Sequence, residues 1–185
     1  MAAEPRDLDV DGLDVRITDM RRRHLRGVLR IEHQVYPRPW SVGLFMSELA
    51  LRSSRAYIVA RVGPTVVGYA GLLTALDEGH VTTLAVDPAW QRHQIGTRLL
   101  AHLSREAIGM GVGALTLEVR VTNEPAKALY ARFGYAPAGV RKGYYAETGE
   151  DALVMWADDV AGPTYAERLA TIEAGILGRT TIDEL

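Results

Sequence analysis

The chain has 185 residues, 48% of them hydrophobic and 24% charged, with a formal net charge of −2 and no cysteine. That size and balance suit a single domain able to bury its own core; they exclude disulfides, a thiolate nucleophile and a cysteine-based metal site, and they lack the basic excess of a nucleic-acid binder. No apolar stretch approaches the roughly 18 residues of a membrane span, and the start, Met1-Ala2-Ala3-Glu4-Pro5, is unlike a secretory signal, so a cytoplasmic protein with neither membrane nor nucleic-acid partners is expected.

Residues 1–13 carry Pro5, Gly12 and several Asp and read as a flexible arm. A strand is expected near Val15–Thr18. Asp19 is then placed to cap a helix from about Met20 to Gln34, with Leu25, Val28, Leu29 and Ile31 on its apolar side. The Arg21-Arg22-Arg23 run reads as a solvated helix face. Two prolines make Tyr36-Pro37-Arg38-Pro39-Trp40 a loop. Ser41 caps a second, short helix whose buried side takes Leu44, Phe45, Leu49 and Leu51.

A three-strand meander follows: Tyr57–Val62, Val66–Leu73 and His80–Val86, turning at Gly63-Pro64 and at Asp77-Glu78-Gly79. Asp87-Pro88 ends the third strand. A helix is expected from about Arg92 to Met110, with Ile95, Leu99, Leu100, Leu103 and Ile108 inward. Leu115–Val121 alternates cleanly as a strand. Asn123-Glu124-Pro125 opens another helix, which ends at Gly134, and strands near Tyr135–Arg141 and Ala152–Ala157 close the sheet. This order predicts an α/β domain over residues 14–160, a mixed sheet with helices on both faces. Residues 161–185 read as an added amphipathic helix and tail, with Pro163 near the start and Tyr165, Leu169, Ile172 and Ile176 at helical spacing.

The most informative window runs Leu84-Ala85-Val86-Asp87-Pro88-Ala89-Trp90-Gln91-Arg92-His93-Gln94-Ile95-Gly96-Thr97. A strand ends, a tight turn follows and a helix begins. The first helical turn has N–H groups without intrahelical partners, and with the helix dipole they suit an anion such as a pyrophosphate. Arg92 adds positive charge, and Gly96 leaves room for close approach. Read alone, the window is equally a plain strand–turn–helix junction.

Gln91-Arg92-His93-Gln94-Ile95-Gly96 resembles the acetyl-CoA signature of the GNAT superfamily of N-acetyltransferases, Gln/Arg-x-x-Gly-x-Gly/Ala. Gln94 stands where the family has Gly. The loop keeps its N–H groups if Gln94 takes ordinary helical dihedrals, and a side chain there points to crowding of the pyrophosphate. The stretch from Leu117 to Tyr135, with its Asn-capped helix and Leu129-Tyr130 followed by Phe133-Gly134-Tyr135, resembles a second superfamily segment. Arg141-Lys142-Gly143-Tyr144-Tyr145, Glu150-Asp151-Ala152 and Pro39-Trp40-Ser41 resemble the bacterial ribosomal-protein-alanine N-acetyltransferases of RimI type. The resemblance covers about residues 15–157, in family order. It implies a GNAT fold, with a mostly antiparallel sheet of about seven strands.

Acetyl transfer to an amine needs a proton acceptor for the amine, polarisation of the thioester carbonyl and a proton for the departing thiolate. On its strand Glu118 shares a face with Thr116 and Arg120, opposite Leu115, Leu117, Val119 and Val121; periodicity alone makes it a polar group paired with a neighbouring Arg. The resemblance implies that Glu118 is the general base. His80 is a second candidate. Tyr130 belongs to an apolar stripe with Ala126, Leu129 and Phe133, and a phenol there can still donate a proton; the resemblance implies a general acid. Asn123 reads as a helix cap and, by resemblance, contacts coenzyme A. Leu84, Ala85 and Val86 read as core strand residues whose backbone, by resemblance, pairs with the pantetheine arm.

By resemblance too, Arg92, His93, Gln94, Ile95, Gly96 and Thr97 receive the pyrophosphate. Tyr36, Trp40, Tyr144 and Tyr145 are loop aromatics, suited either to loop packing or to recognition; the resemblance puts them at the peptide entrance. The five histidines show no metal-ligand spacing, and no metal is expected. Three readings remain: acetylation of a protein's α-amine, with the N-terminal alanine of a ribosomal protein as acceptor; acetylation of a lysine side chain or small amine; and a non-catalytic acetyl-CoA-binding module.

Overall fold

The structure is a computed structural model that describes residues 12–183; residues 1–11, most of the segment expected to be an arm, lie outside them. Leu13 is already buried. The chain runs through β1 (Asp14–Asp19), α1 (Leu25–Val35), α2 (Val42–Ala50), β2 (Arg55–Val62), β3 (Thr65–Ala75), β4 (Glu78–Val86), α3 (Ile95–Gly109), β5 (Ala114–Arg120), α4 (Glu124–Arg132), β6 (Ala136–Tyr145), β7 (Glu150–Ala157), α5 (Pro163–Ala174) and β8 (Arg179–Asp183). The strands form one sheet in the order β6-β7-β5-β4-β3-β2-β1-β8. Among the described residues only β4 with β5 and β1 with β8 are parallel neighbours. The expected mixed sheet with helices on both faces is present. It gains an eighth strand from the tail after the added helix, where no strand was expected.

Alternation along the strands splits the core in two. Ile58 and Ala60 of β2 face Leu99 and Leu103 of α3, with Phe133 and the α5 residues Tyr165 and Leu169 in the same cluster. Tyr57 and Val59 face the other way, onto Leu25, Val28 and Ile31 of α1 and Phe45 of α2.

Three local expectations are corrected. Asp19 ends β1 and caps nothing. A 3-10 turn at Arg22–His24 precedes α1, and His24 Nδ1 accepts from the Arg21 N–H at 3.1 Å, the job expected of Asp19. Ser41 does cap α2, accepting from the Leu44 N–H at 3.1 Å. Leu44 and Leu51, however, are exposed at 40% and 46%. A nine-residue helix offers the core one narrow stripe, and Phe45 fills it, with ring centroids 5.3 Å from Trp40, 6.5 Å from Tyr57 and 5.9 Å from Tyr69. Finally, α3 begins at Ile95, not Arg92. Pro88–Trp90 forms a separate 3-10 turn, capped by Asp87 Oδ1 accepting from the Ala89 N–H at 3.0 Å.

Phe45 is fully buried at the centre of this aromatic group. Phe45→Ala should therefore lower stability by about 3–5 kcal/mol through lost transfer energy and a residual cavity. Urea denaturation should show a lower midpoint at unchanged slope.

Candidate active site

Strands β4 and β5 pair only over Glu78–His80 and Ala114–Thr116. Beyond that point each keeps a partner on its far side alone. β4 stays paired with β3 as far as Val86, and β5 with β7 as far as Arg120. A bulge at Thr82, between the pairs Leu72–Val81 and Gly71–Thr83, adds a residue to β4 just where the parting starts; bulges of this kind bend and twist a strand. The parted strands open a cleft of about 460 Å³. Its walls come from β4 and β5, from Asn123, Ala126, Leu129 and Tyr130 around α4, from Tyr36 and Trp40, and from Tyr144 and Tyr145 at the end of β6.

Glu118 projects into the cleft from β5, whose residues alternate between half-buried and buried as expected. Its Oε2 lies 2.5 Å from Nε2 of His80, the last residue of β4 to pair with β5. Its Oε1 lies 3.2 Å from Nε of Arg141. Sequence reasoning weighed His80 and Glu118 as rivals; the strand register makes them a bonded pair.

Tyr130 is buried on α4 with its ring against Tyr135, and burial raises its pKa well above that of a free phenol, so it carries its proton at neutral pH. Asn123 Oδ1 accepts from the Ala126 N–H at 3.2 Å, the expected cap. The Tyr36 hydroxyl donates to the Leu84 carbonyl at 3.2 Å and lies 3.4 Å from Thr83 Oγ1. That phenol, too, is pushed up by burial. Tyr36 thus ties the loop after α1 to β4.

The turn between β6 and β7 is held onto β5 by Arg120. Its guanidinium bonds Glu147 at 2.5 Å and Glu150 at 3.0 Å, and lies 3.8 Å over the Tyr145 ring. Tyr144 is exposed and meets Tyr145 edge-on at 5.1 Å.

At the end of β4 the loop into α3 is tightly turned. Arg92 and Gln94 both have positive φ, 66° and 59°, and the intervening His93 does not. A left-handed residue other than glycine costs roughly 1–2 kcal/mol. The condition set for Gln94, ordinary helical dihedrals, is not met, and a left-handed residue at this position suits the glycine of the signature. Left-handed residues alternating with others aim successive N–H groups into one concavity, an anion-binding arrangement. Ile95, Thr97 and Ala85 are buried. A Cβ on Gly96 would stand 3.4 Å from Leu129 and 3.8 Å from Leu84, both cleft residues, so the loop adjoins the cleft. Arg92 is exposed, and His93 Nδ1 is 2.8 Å from the Gln91 carbonyl oxygen. Among the described residues no group of three or more His, Asp or Glu could hold a metal ion.

Sequence reasoning missed Glu32, a carboxylate only 2% exposed on α1. Its Oε1 accepts from the Trp40 N–H at 2.8 Å and its Oε2 from the Tyr69 hydroxyl. One signal was available: position 32 continues the buried stripe Leu25, Val28, Ile31.

The sequence pattern of the Acetyltransferase (GNAT) family matches residues 25–135. The ribosomal protein bS18-alanine N-acetyltransferase of Escherichia coli (strain K12) is 34% identical over 141 residues, 75% of this chain and 94% of that protein. N-alpha-acetyltransferase RimI of Mycobacterium tuberculosis (strain ATCC 25618 / H37Rv) is 43% identical over 124 residues, 65% of this chain and 76% of that protein. The crystal structure of the ribosomal-protein-S18-alanine N-acetyltransferase from Escherichia coli matches with a TM-score of 0.71 at 32% identity, covering 78% of this chain and 94% of that one.

Burial raises the Glu32 pKa, partly offset by the Trp40 N–H. Between its unfolded and its raised folded pKa, the folded state holds more protons, so stability falls as pH rises through that window. Glu32→Gln removes the titration. Relative to this variant, the wild type should lose stability as pH rises from about 4 into the neutral range, measured as urea midpoints of the two proteins across that range.

Proposed function

The chain belongs to the Acetyltransferase (GNAT) family and is an acetyl-transferring enzyme, and from that premise we propose that it moves acetyl from acetyl-CoA to the α-amine of a protein, the N-terminal alanine of a ribosomal protein being the acceptor. One observation carries the reading: a carboxylate and a protonated phenol, Glu118 and Tyr130, line the same parted-strand cleft, next to an anion-suited helix entrance. Relatives named for bS18-alanine acetylation support the choice of acceptor.

The pyrophosphate lies against the backbone of residues 92–97, with Arg92 nearby. The pantetheine arm runs along β4 at Leu84–Val86, and a backbone N–H there polarises the thioester carbonyl. Asn123 contacts the coenzyme from the start of α4. The acceptor peptide enters past Tyr36, Trp40, Tyr144 and Tyr145.

An α-amino group has a reference pKa near 8, so most of it is protonated at neutral pH and cannot attack. The amine gives its first proton to solvent and reacts neutral; Glu118 takes the second, through a water, as the nitrogen bonds to the acetyl carbon. The tetrahedral oxyanion then collapses, the carbon–sulfur bond breaks, and Tyr130 gives its proton to the departing thiolate. The His80 imidazole, bonded to Glu118, steadies the carboxylate. A second reading exchanges their roles: the side chain of His80 is 33% exposed against 11% for that of Glu118, so the ring is the more accessible acceptor.

A polycationic small amine is the weaker acceptor, because the carboxylates lining the cleft are engaged: Glu32 by Trp40 and Tyr69, Glu118 by His80 and Arg141, Glu147 by Arg120.

Isothermal titration should find one acetyl-CoA site per chain, and a peptide panel with labelled acetyl-CoA should favour N-terminal alanine; no binding at millimolar coenzyme would sink the reading. Glu118→Gln should cut kcat by roughly 100- to 10,000-fold, the usual worth of a general base, with coenzyme affinity kept and the residual rate rising with pH. Tyr130→Phe should also lose kcat and be rescued by a more acidic leaving thiol. If His80→Gln costs the larger factor and Glu118→Gln the smaller, the base is His80.

A further inference from the structure

The acetyl-CoA signature departs from its family at Gln94, and the structure shows what that side chain does. It does not point at the space in front of the loop. Its Oε1 accepts from the Leu177 N–H at 2.8 Å, and its Nε2 donates to the Gly175 carbonyl at 3.3 Å. Both partners lie just after α5, more than eighty residues away in sequence.

One turn further along α3, Arg98 faces the same segment, as positions four apart on a helix must. Arg98 is 1% exposed. Its guanidinium donates to the Arg179 carbonyl at 3.0 Å and also to the Leu177 carbonyl and Thr180 Oγ1. All three acceptors come from the stretch 177–180, so that stretch supplies the hydrogen bonds of a buried cation. Removing such partners strands a charge out of water. The stretch then continues into β8, which pairs with β1 from Asp14↔Arg179 to Thr18↔Asp183. The segment is thus anchored at one end in the sheet and at the other on α5, whose Tyr165, Leu169 and Ile172 are buried. Between the two anchors it grips the first turn of α3.

We propose that Gln94 is a positioning residue for the coenzyme: its amide clamps the strained loop 92–94 to residues 175–177, so that the C-terminal extension forms the back wall of the pyrophosphate site. A glycine takes a left-handed conformation freely. Gln94 takes it against a steric cost, and two directional hydrogen bonds hold it there. The extension replaces glycine's freedom with an external brace and presents the loop N–H groups already oriented, which lowers the ordering cost of binding. The proposal rests on the reading that this loop receives the coenzyme.

The test uses the full chain and two single variants. Gln94→Met keeps length and removes both hydrogen bonds. Leu177→Pro removes the opposing N–H, keeps the Gly175 contact and also fixes the backbone φ there, at a residue outside the cleft. Each should raise the KM and Kd for acetyl-CoA about three- to tenfold, the scale of one or two net hydrogen bonds. Each should leave kcat at saturating coenzyme and the KM of the acceptor peptide unchanged. The double variant should be no worse than Gln94→Met alone, because that variant already lacks the Leu177 contact. Amide exchange reads the clamp without coenzyme: the Leu177 N–H should be protected in the wild type and lose protection in Gln94→Met. Wild-type coenzyme affinity in both variants, or effects that simply multiply in the double variant, would overturn the proposal. So would a Leu177 amide unprotected in the wild type. A wild type that protects this amide yet binds no acetyl-CoA would overturn instead the coenzyme reading underneath.

Discussion

The site depends on one break in a hydrogen-bond ladder. Two parallel strands pair for three residues and then part, each still paired along its outer edge. A sheet normally closes every such edge, because unpaired backbone groups invite water or another strand. Here the gap is kept open by what stands in it. Tyr36 reaches over from the loop after α1 to bond the Leu84 carbonyl, and α4 lays Leu129 and Tyr130 along the opening. The cleft is therefore a built feature of the sheet, with polar backbone along β4 and side chains of chosen chemistry along β5.

That geometry also sets the electrostatics. Glu118 is low in exposure and lies between an imidazole and a guanidinium, so neither oxygen is left bare. Around it the polar groups form short local pairs: Arg120 with Glu147 and Glu150, Glu32 with the Trp40 N–H and the Tyr69 hydroxyl. Each pair ties a mobile kind of element, a turn or a proline-rich loop, to the rigid sheet. Ties of this kind limit the conformational entropy that a loop has left to lose on binding.

The segment after α5 extends this logic to the other end of the cleft. The loop into α3 stores strain at two left-handed residues, and strain persists only where the surroundings over-determine it. Asp87 holds the loop from one side, bonded to Arg30 of α1 and capping its own turn. Residues 175–180 hold it from the other, through Gln94 and Arg98.

The sequence by itself determined what local physics can determine. Clean alternation placed Glu118 on the polar face of β5; Ser41 and Asn123 announced their helices, because a capping oxygen acts on N–H groups two or three residues away; and the signature located the loop before α3. It did not reveal that the helix would wait until Ile95, since the left-handed turn at Arg92 and Gln94 satisfies no periodic pattern. Nor could it join His80 to Glu118, thirty-eight residues apart, or Gln94 to Leu177, eighty-three apart. Periodicity says which face a side chain occupies. Which partner it meets there is decided by strand register and by the packing of distant segments, and only the tertiary structure fixes those.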